Sequence, residues 1–113
     1  MLNRKYRFHS RGGVRFTYQK GKTVRTSKMS VTVAPNTRNC TRIAVVVSKK
    51  VLKTAVGRNR IRRRVYEALR TNFQHIPTQK DYIFTVFSKE VGTMPFADLE
   101  KLLGDLVADS SIL

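Results

Sequence analysis

The sequence predicts an α+β fold, and three patterns carry that expectation. Met29, Val31 and Val33 alternate with Ser30 and Thr32, the period-two signature of a half-buried strand. Ile43-Ala44-Val45-Val46-Val47 is apolar on both faces, which suits a central strand. Two later stretches, one starting near Thr54 and one after Pro95, repeat their apolar residues at helical spacing. The elements run α-β-β-α-β-α, an order that suggests one β-sheet layer covered by helices.

In chain order, residues 1–9 are basic with interspersed aromatics and read as extended. Ser10 caps a short helix that runs through Val14 and Tyr18 and stops at Gly21. Thr23–Ala34 reads as one strand, broken by Pro35-Asn36. Asn36–Thr41 reads as a polar hairpin loop leading into a second strand, Arg42–Ser48. The long helix starts at Thr54 or a near neighbour, and Ile76-Pro77 lies beyond its end. Asp81–Phe87 is a third strand, with Tyr82, Phe84 and Val86 alternating with Ile83, Thr85 and Phe87. Phe96, Leu99, Leu102, Leu103, Leu106 and Val107 form the apolar stripe of a terminal helix, weakened slightly by Gly104.

A chain of 113 residues is expected to form a single domain, residues 1–113. Its hydrophobic content of 41% is that of a globular protein rather than a disordered tail. Formal net charge is +16, from 23 Lys and Arg against 7 Asp and Glu. The distribution is uneven: residues 1–70 hold every basic side chain except Lys80, Lys89 and Lys101, and only one acid, Glu67. A nucleic-acid-facing surface is therefore expected from the first 70 residues, while the rest mainly completes the fold. The chain shows neither the apolar core of a secretory signal nor a membrane-length apolar run, so a cytoplasmic protein without a membrane partner is expected.

Arg58-Asn59-Arg60-Ile61-Arg62-Arg63-Arg64 places five arginines in seven residues. Packing so much like charge into two helical turns is unfavourable unless something anionic lies against it. On a helical wheel Ile61, Val65, Ala68, Leu69 and Asn72 share the core side. Arg60, Arg63 and Arg70 fall opposite, Asn59, Arg62 and Tyr66 form an adjacent ridge, and Arg64 stands on the other flank. Arginine can engage phosphate oxygens with two parallel donors, and Asn59 can add an amide. Tyr18 and Tyr66 are the aromatics best placed to stack on unpaired bases.

Catalysis by the protein itself finds no support in these residues. His9 and His75 are the only imidazoles, and neither has a visible partner for acid–base work. Carboxylates are too sparse in the basic half to build a two-metal site. Cys40 is a single cysteine, which excludes an internal disulfide and offers no metal-ligand spacing. Val56-Gly57-Arg58 lacks the glycine spacing of a phosphate-binding loop. The residues describe a binder.

Val47-Ser48-Lys49-Lys50 followed by Ala55-x-x-Arg58-Asn59-Arg60-Ile61-Arg62-Arg63 resembles the signature of the bacterial ribonuclease P protein subunit. The resemblance runs over roughly residues 7–87. It implies a two-layer α/β sandwich with a mixed sheet of about four strands and a left-handed βαβ crossover, against the usual right-handed rule. It also implies a role without catalytic residues in the protein: the partner is a catalytic RNA that uses Mg2+ to remove the 5′ leader of precursor tRNA. Such an endoribonuclease would process tRNA with no obligate protein partner and no metal ligands supplied by this chain.

By that resemblance Arg58, Asn59, Arg60, Arg62 and Arg63 face the catalytic RNA, with Lys49 and Lys50 nearby, and Val14, Tyr18 and Thr32 fall on the leader cleft. The chain departs from the family pattern in places. Val14 stands where an aromatic is usual, Tyr66 where a basic residue is usual, and Ala44 where a glycine follows Arg42. The link from Lys50 to Arg58 is one residue longer and lacks its customary glycine. The alternative reading is a small ribosomal or ribosome-assembly protein that uses the same basic face without accelerating a reaction.

Overall fold

Four strands and two helices follow from these patterns in a computed structural model, which describes residues 21–35, 41–72 and 80–110. The strands are β1 (Lys22–Arg25), β2 (Met29–Pro35), β3 (Arg42–Val47) and β4 (Lys80–Val86). The helices are α1 (Ala55–Asn72) and α2 (Phe96–Ser110), with a single 3-10 turn at Lys89–Gly92 between β4 and α2. The α+β class expected from the sequence holds. The expected helix through Val14 and Tyr18, the segment 1–9, the two histidines, Cys40 and the residues after Pro35 up to Cys40 lie outside the described residues.

Two expectations about the strands are corrected. Thr23–Ala34 is not one strand but a hairpin, because the polar Thr26-Ser27-Lys28 closes a turn. Thr26 accepts and donates there at once: Met29 N–H reaches its Oγ1 at 3.1 Å, and the hydroxyl and backbone N–H both donate to the Met29 carbonyl, each at 2.8 Å. Asn36–Thr41 is likewise not the loop of a β2–β3 hairpin. The sheet order is β1-β2-β4-β3, so β4 lies between the two strands that the sequence places side by side. β4 runs antiparallel to β2 and parallel to β3. Helix α1 carries the chain from β3 to its parallel neighbour, as a parallel pair requires.

The period-two pattern decides which residues meet the helices. Met29, Val31 and Val33 of β2, Ile43, Val45 and Val47 of β3, and Tyr82, Phe84 and Val86 of β4 all turn to one face. They pack with Ile61, Val65, Ala68 and Leu69 of α1 and with Leu99, Leu103, Leu106 and Val107 of α2. The opposite face carries Ala44 and Ile83 with Val46 packed on them, and the polar Ser30 and Thr32. Both faces of β3 and β4 are buried, which is why their sequences are nearly continuous apolar runs. Asp81 and Arg42, paired across β3 and β4, close that register with two hydrogen bonds of 2.8 and 2.6 Å. The carboxylate is almost wholly buried, so removing either partner costs about 3–5 kcal/mol by leaving a desolvated charge alone.

Candidate nucleic-acid interface

The basic surface is built where β3 ends. Ser48 turns the chain: its carbonyl accepts from Val51 and Leu52 N–H at 3.1 and 3.4 Å, and Lys49 and Lys50 stand exposed on the turn. Thr54 then starts α1. Its hydroxyl accepts from Gly57 N–H at 3.2 Å, and its carbonyl accepts from Arg58 N–H at 3.1 Å. The first turn of α1 contains no acidic residue. The partial positive charge of a helix N-terminus is thus left unneutralised beside Lys49, Lys50, Lys53 and Arg58, and it adds to their attraction for anions.

The arginine run divides by task. Arg58 donates from Nη1 to the Leu52 and Lys53 carbonyls at 3.0 and 2.8 Å, fastening the lysine-bearing turn to the helix. Arg62 donates to Asn59 Oδ1 at 2.6 Å, so these two side chains hold each other one turn apart. Arg64 leaves the surface: it donates to the Val91 carbonyl at 2.8 Å and to the Met94 carbonyl at 2.5 Å, bridging α1 to the 3-10 turn. Arg60 and Arg63 are exposed, and no hydrogen bond or ion pair among the described residues occupies either guanidinium. Arg70 makes a long contact of 3.6 Å to Glu67.

Tyr66 is corrected. The wheel places it on a polar ridge as a stacking residue, but its side chain is buried in the main apolar cluster. Its backbone position borders Val65 and Leu69, and a ring that long folds over the edge of the stripe to join them. Thr32 lies on the sheet face away from the helices. It is 1% exposed, and its hydroxyl is 3.0 Å from that of Thr23, its partner across the β1–β2 ladder. Val14 and Tyr18 lie outside the described residues. The structure therefore brings together Lys49, Lys50, Arg58, Asn59, Arg60, Arg62 and Arg63, and sets Thr32 apart on the sheet.

Two features escape the sequence reading. Arg25 sits 4.4 Å over the ring of Phe87, an exposed cation–π pair at the end of the sheet. No local pattern joins residues so far apart; only strand pairing does. The 3-10 turn at Lys89–Gly92 is also absent from that reading. Ser88, whose side chain caps it by accepting from Glu90 N–H, is the signal that could have found it. Among the described residues no three His, Cys, Asp or Glu gather to hold a metal ion. No described helix is long and apolar enough to cross a membrane.

The ribonuclease P family model matches residues 2–110 of this sequence. The chain belongs to the ribonuclease P protein family. A ribonuclease P protein component from Chloroflexus aurantiacus is 35% identical over 112 residues, covering 99% of this chain and 82% of that protein. One from Roseiflexus castenholzii is 30% identical over 112 residues, covering 99% of this chain and 91% of its own length. The solved structure of the Staphylococcus aureus RNase P protein superposes with a TM-score of 0.79 at 26% identity, over 91% of this chain and 93% of that one. The Thermotoga maritima RNase P protein, at 24% identity over 89% of this chain and 94% of its own, shares the fold with a TM-score of 0.79.

Family and fold agree on the role. The chain is an RNA-binding subunit of the ribonucleoprotein endoribonuclease that acts in tRNA processing. These matches do not favour the ribosomal alternative.

Proposed function

We propose that the surface formed by Lys49, Lys50, Arg58, Asn59, Arg60, Arg62 and Arg63 docks this subunit onto the catalytic RNA of ribonuclease P. One observation carries the reading. Arg60 and Arg63 project, unpartnered among the described residues, from a helix whose first turn has no carboxylate, beside two further lysines on a rigid turn. Such a site is unfavourable in isolation and is relieved by phosphates. Arg58 and Arg62 contribute differently. Their existing bonds fix the turn and Asn59, so the ridge meets RNA already ordered and loses less conformational freedom on binding.

The 5′ leader of precursor tRNA is assigned to the sheet face that carries Thr32, with Val14 and Tyr18. Thr32 is closed to solvent and bonded to Thr23, so its part is to hold the exposed Thr23 hydroxyl. The described residues do not suit a metal centre: Asp81, the buried carboxylate, is occupied by Arg42. The Mg2+ on which cleavage depends is accordingly assigned to the RNA, and this chain contributes binding and orientation in a cytoplasmic particle. Replacing Arg60 and Arg63 by Ala tests the ridge. Affinity for a bacterial ribonuclease P RNA should fall, and the slope of log K against log salt should shrink by about one unit for each phosphate no longer neutralised. An unchanged slope sinks the assignment.

A further inference from the structure

A pocket of about 310 Å³ opens between the start of α1 and the 3-10 turn. Buried Ile61 and Gly92 and half-buried Leu52 and Gly57 form its inner wall, and exposed Arg60, Lys89 and Glu90 stand around its mouth. The wall is close-built. A Cβ on Gly57 would collide with Leu52 Cδ2, and one on Gly92 would fall 3.1 Å from Ile61 Cγ1.

The chemistry of this pocket separates the two halves of a nucleotide. An apolar interior beside the Glu90 carboxylate is hostile to a phosphate, which carries the same sign of charge and needs donors. It suits a nucleobase, whose faces are apolar and whose edge offers N–H groups to a carboxylate. Glu90 is available for that: its contact with Lys28 is 3.7 Å long and exposed, a pair of little strength. Arg60 belongs to both the mouth and the ridge, so a base inside the pocket would leave its phosphate at a guanidinium that no other described residue occupies. Val56 adds a second sign. It is 81% exposed one turn before Arg60, an apolar side chain set among charges on the same side of the helix. A surface meant for phosphates alone has no use for it.

We propose that this pocket takes an unpaired nucleobase of the RNA lying along the Arg60–Arg63 ridge. The proposal rests on the ridge reading and gives it a non-electrostatic component. Thr93 supplies the test, because it is exposed at the pocket and has an ordinary backbone conformation (φ −125°) that any side chain adopts. Thr93→Phe would occupy the mouth. It should weaken binding to a bacterial ribonuclease P RNA about tenfold, the loss of one stacked base, with the salt slope unchanged. The Arg60→Ala/Arg63→Ala pair should instead flatten the slope. If folded Thr93→Phe binds as tightly as the original chain while the arginine pair loses slope, the pocket falls and the ridge stands. If neither weakens binding, both fall. Should Thr93→Phe not fold, the original chain decides the matter by amide NMR. AMP, CMP, GMP or UMP should shift Gly57 and Gly92 where ribose 5-phosphate does not; no shift with any of the four, or equal shifts with the sugar phosphate, overturns the proposal.

Discussion

Tyr82 shows how a single buried group couples this fold to pH. Its ring lies in the main apolar cluster, stacked near Phe84 with centroids 6.3 Å apart, and burial pushes the phenol up from 10.0 to about 12. The unfolded chain releases that proton near its ordinary value, so between the two values the native state binds the extra proton. Stability from this group is therefore complete below pH 10 and declines as pH rises toward about 12, by about 1.4 kcal/mol per unit. Tyr82→Phe should remove this part of the alkaline decline; urea unfolding at pH 8 and pH 11 measures it. An equal decline in the variant would place the cause elsewhere. Tyr66 and Arg64 teach the complementary lesson. Both sit at edges of the helical wheel, and there the spacing leaves their direction open. A long ring can fold inward, and a guanidinium can reach the carbonyls of a turn that is distant in sequence.

At the scale of the element, α1 serves two masters. Its apolar stripe was legible because Ile61, Val65, Ala68 and Leu69 recur at the helical period and are all buried. Its start was legible because Thr54 is a good cap. Yet its first turn forgoes the acidic residues that would stabilise it. Thr54→Ala should cost about 1 kcal/mol in chemical denaturation. Thr54→Asp should restore the cap and gain from the helix dipole, while its negative charge beside Arg58 and Lys53 weakens RNA binding. Stability and affinity would then move in opposite directions across these two variants. If they moved together, the uncapped charge would have no functional meaning.

At the scale of the whole molecule, strand content was readable and strand arrangement was not. Alternation in β2 and the apolar runs of β3 and β4 mark strands locally, but nothing local says that β4 inserts between β2 and β3. That arrangement comes from the crossover through α1, a long-range choice. The basic half was also legible, since charge sums along the chain regardless of fold. The sheet-face assignments were less so: Thr32 alternates correctly, yet its closure from solvent depends on the assembled structure. With the surface so strongly basic, the subunit should matter most when cations are scarce. Adding it to a bacterial ribonuclease P RNA at low Mg2+ should raise leader cleavage several-fold, with the gain shrinking as Mg2+ or salt increases. Equal stimulation at all ionic strengths would point to a non-electrostatic role.

The position of β4 bears on how this protein is made. Its seven residues pair with both β2 and β3, yet they are synthesised after the arginine helix. Until Lys80–Val86 leave the ribosome, the earlier strands lack their shared neighbour and the sheet cannot close. The nascent chain thus emerges with its most cationic segment complete and its scaffold unfinished, in a compartment crowded with RNA. Late arrival of the central strand delays burial of the core and makes the final step a non-local one, which is slow. A message truncated before codon 80 would therefore yield a charged, unclosed fragment rather than a smaller binder.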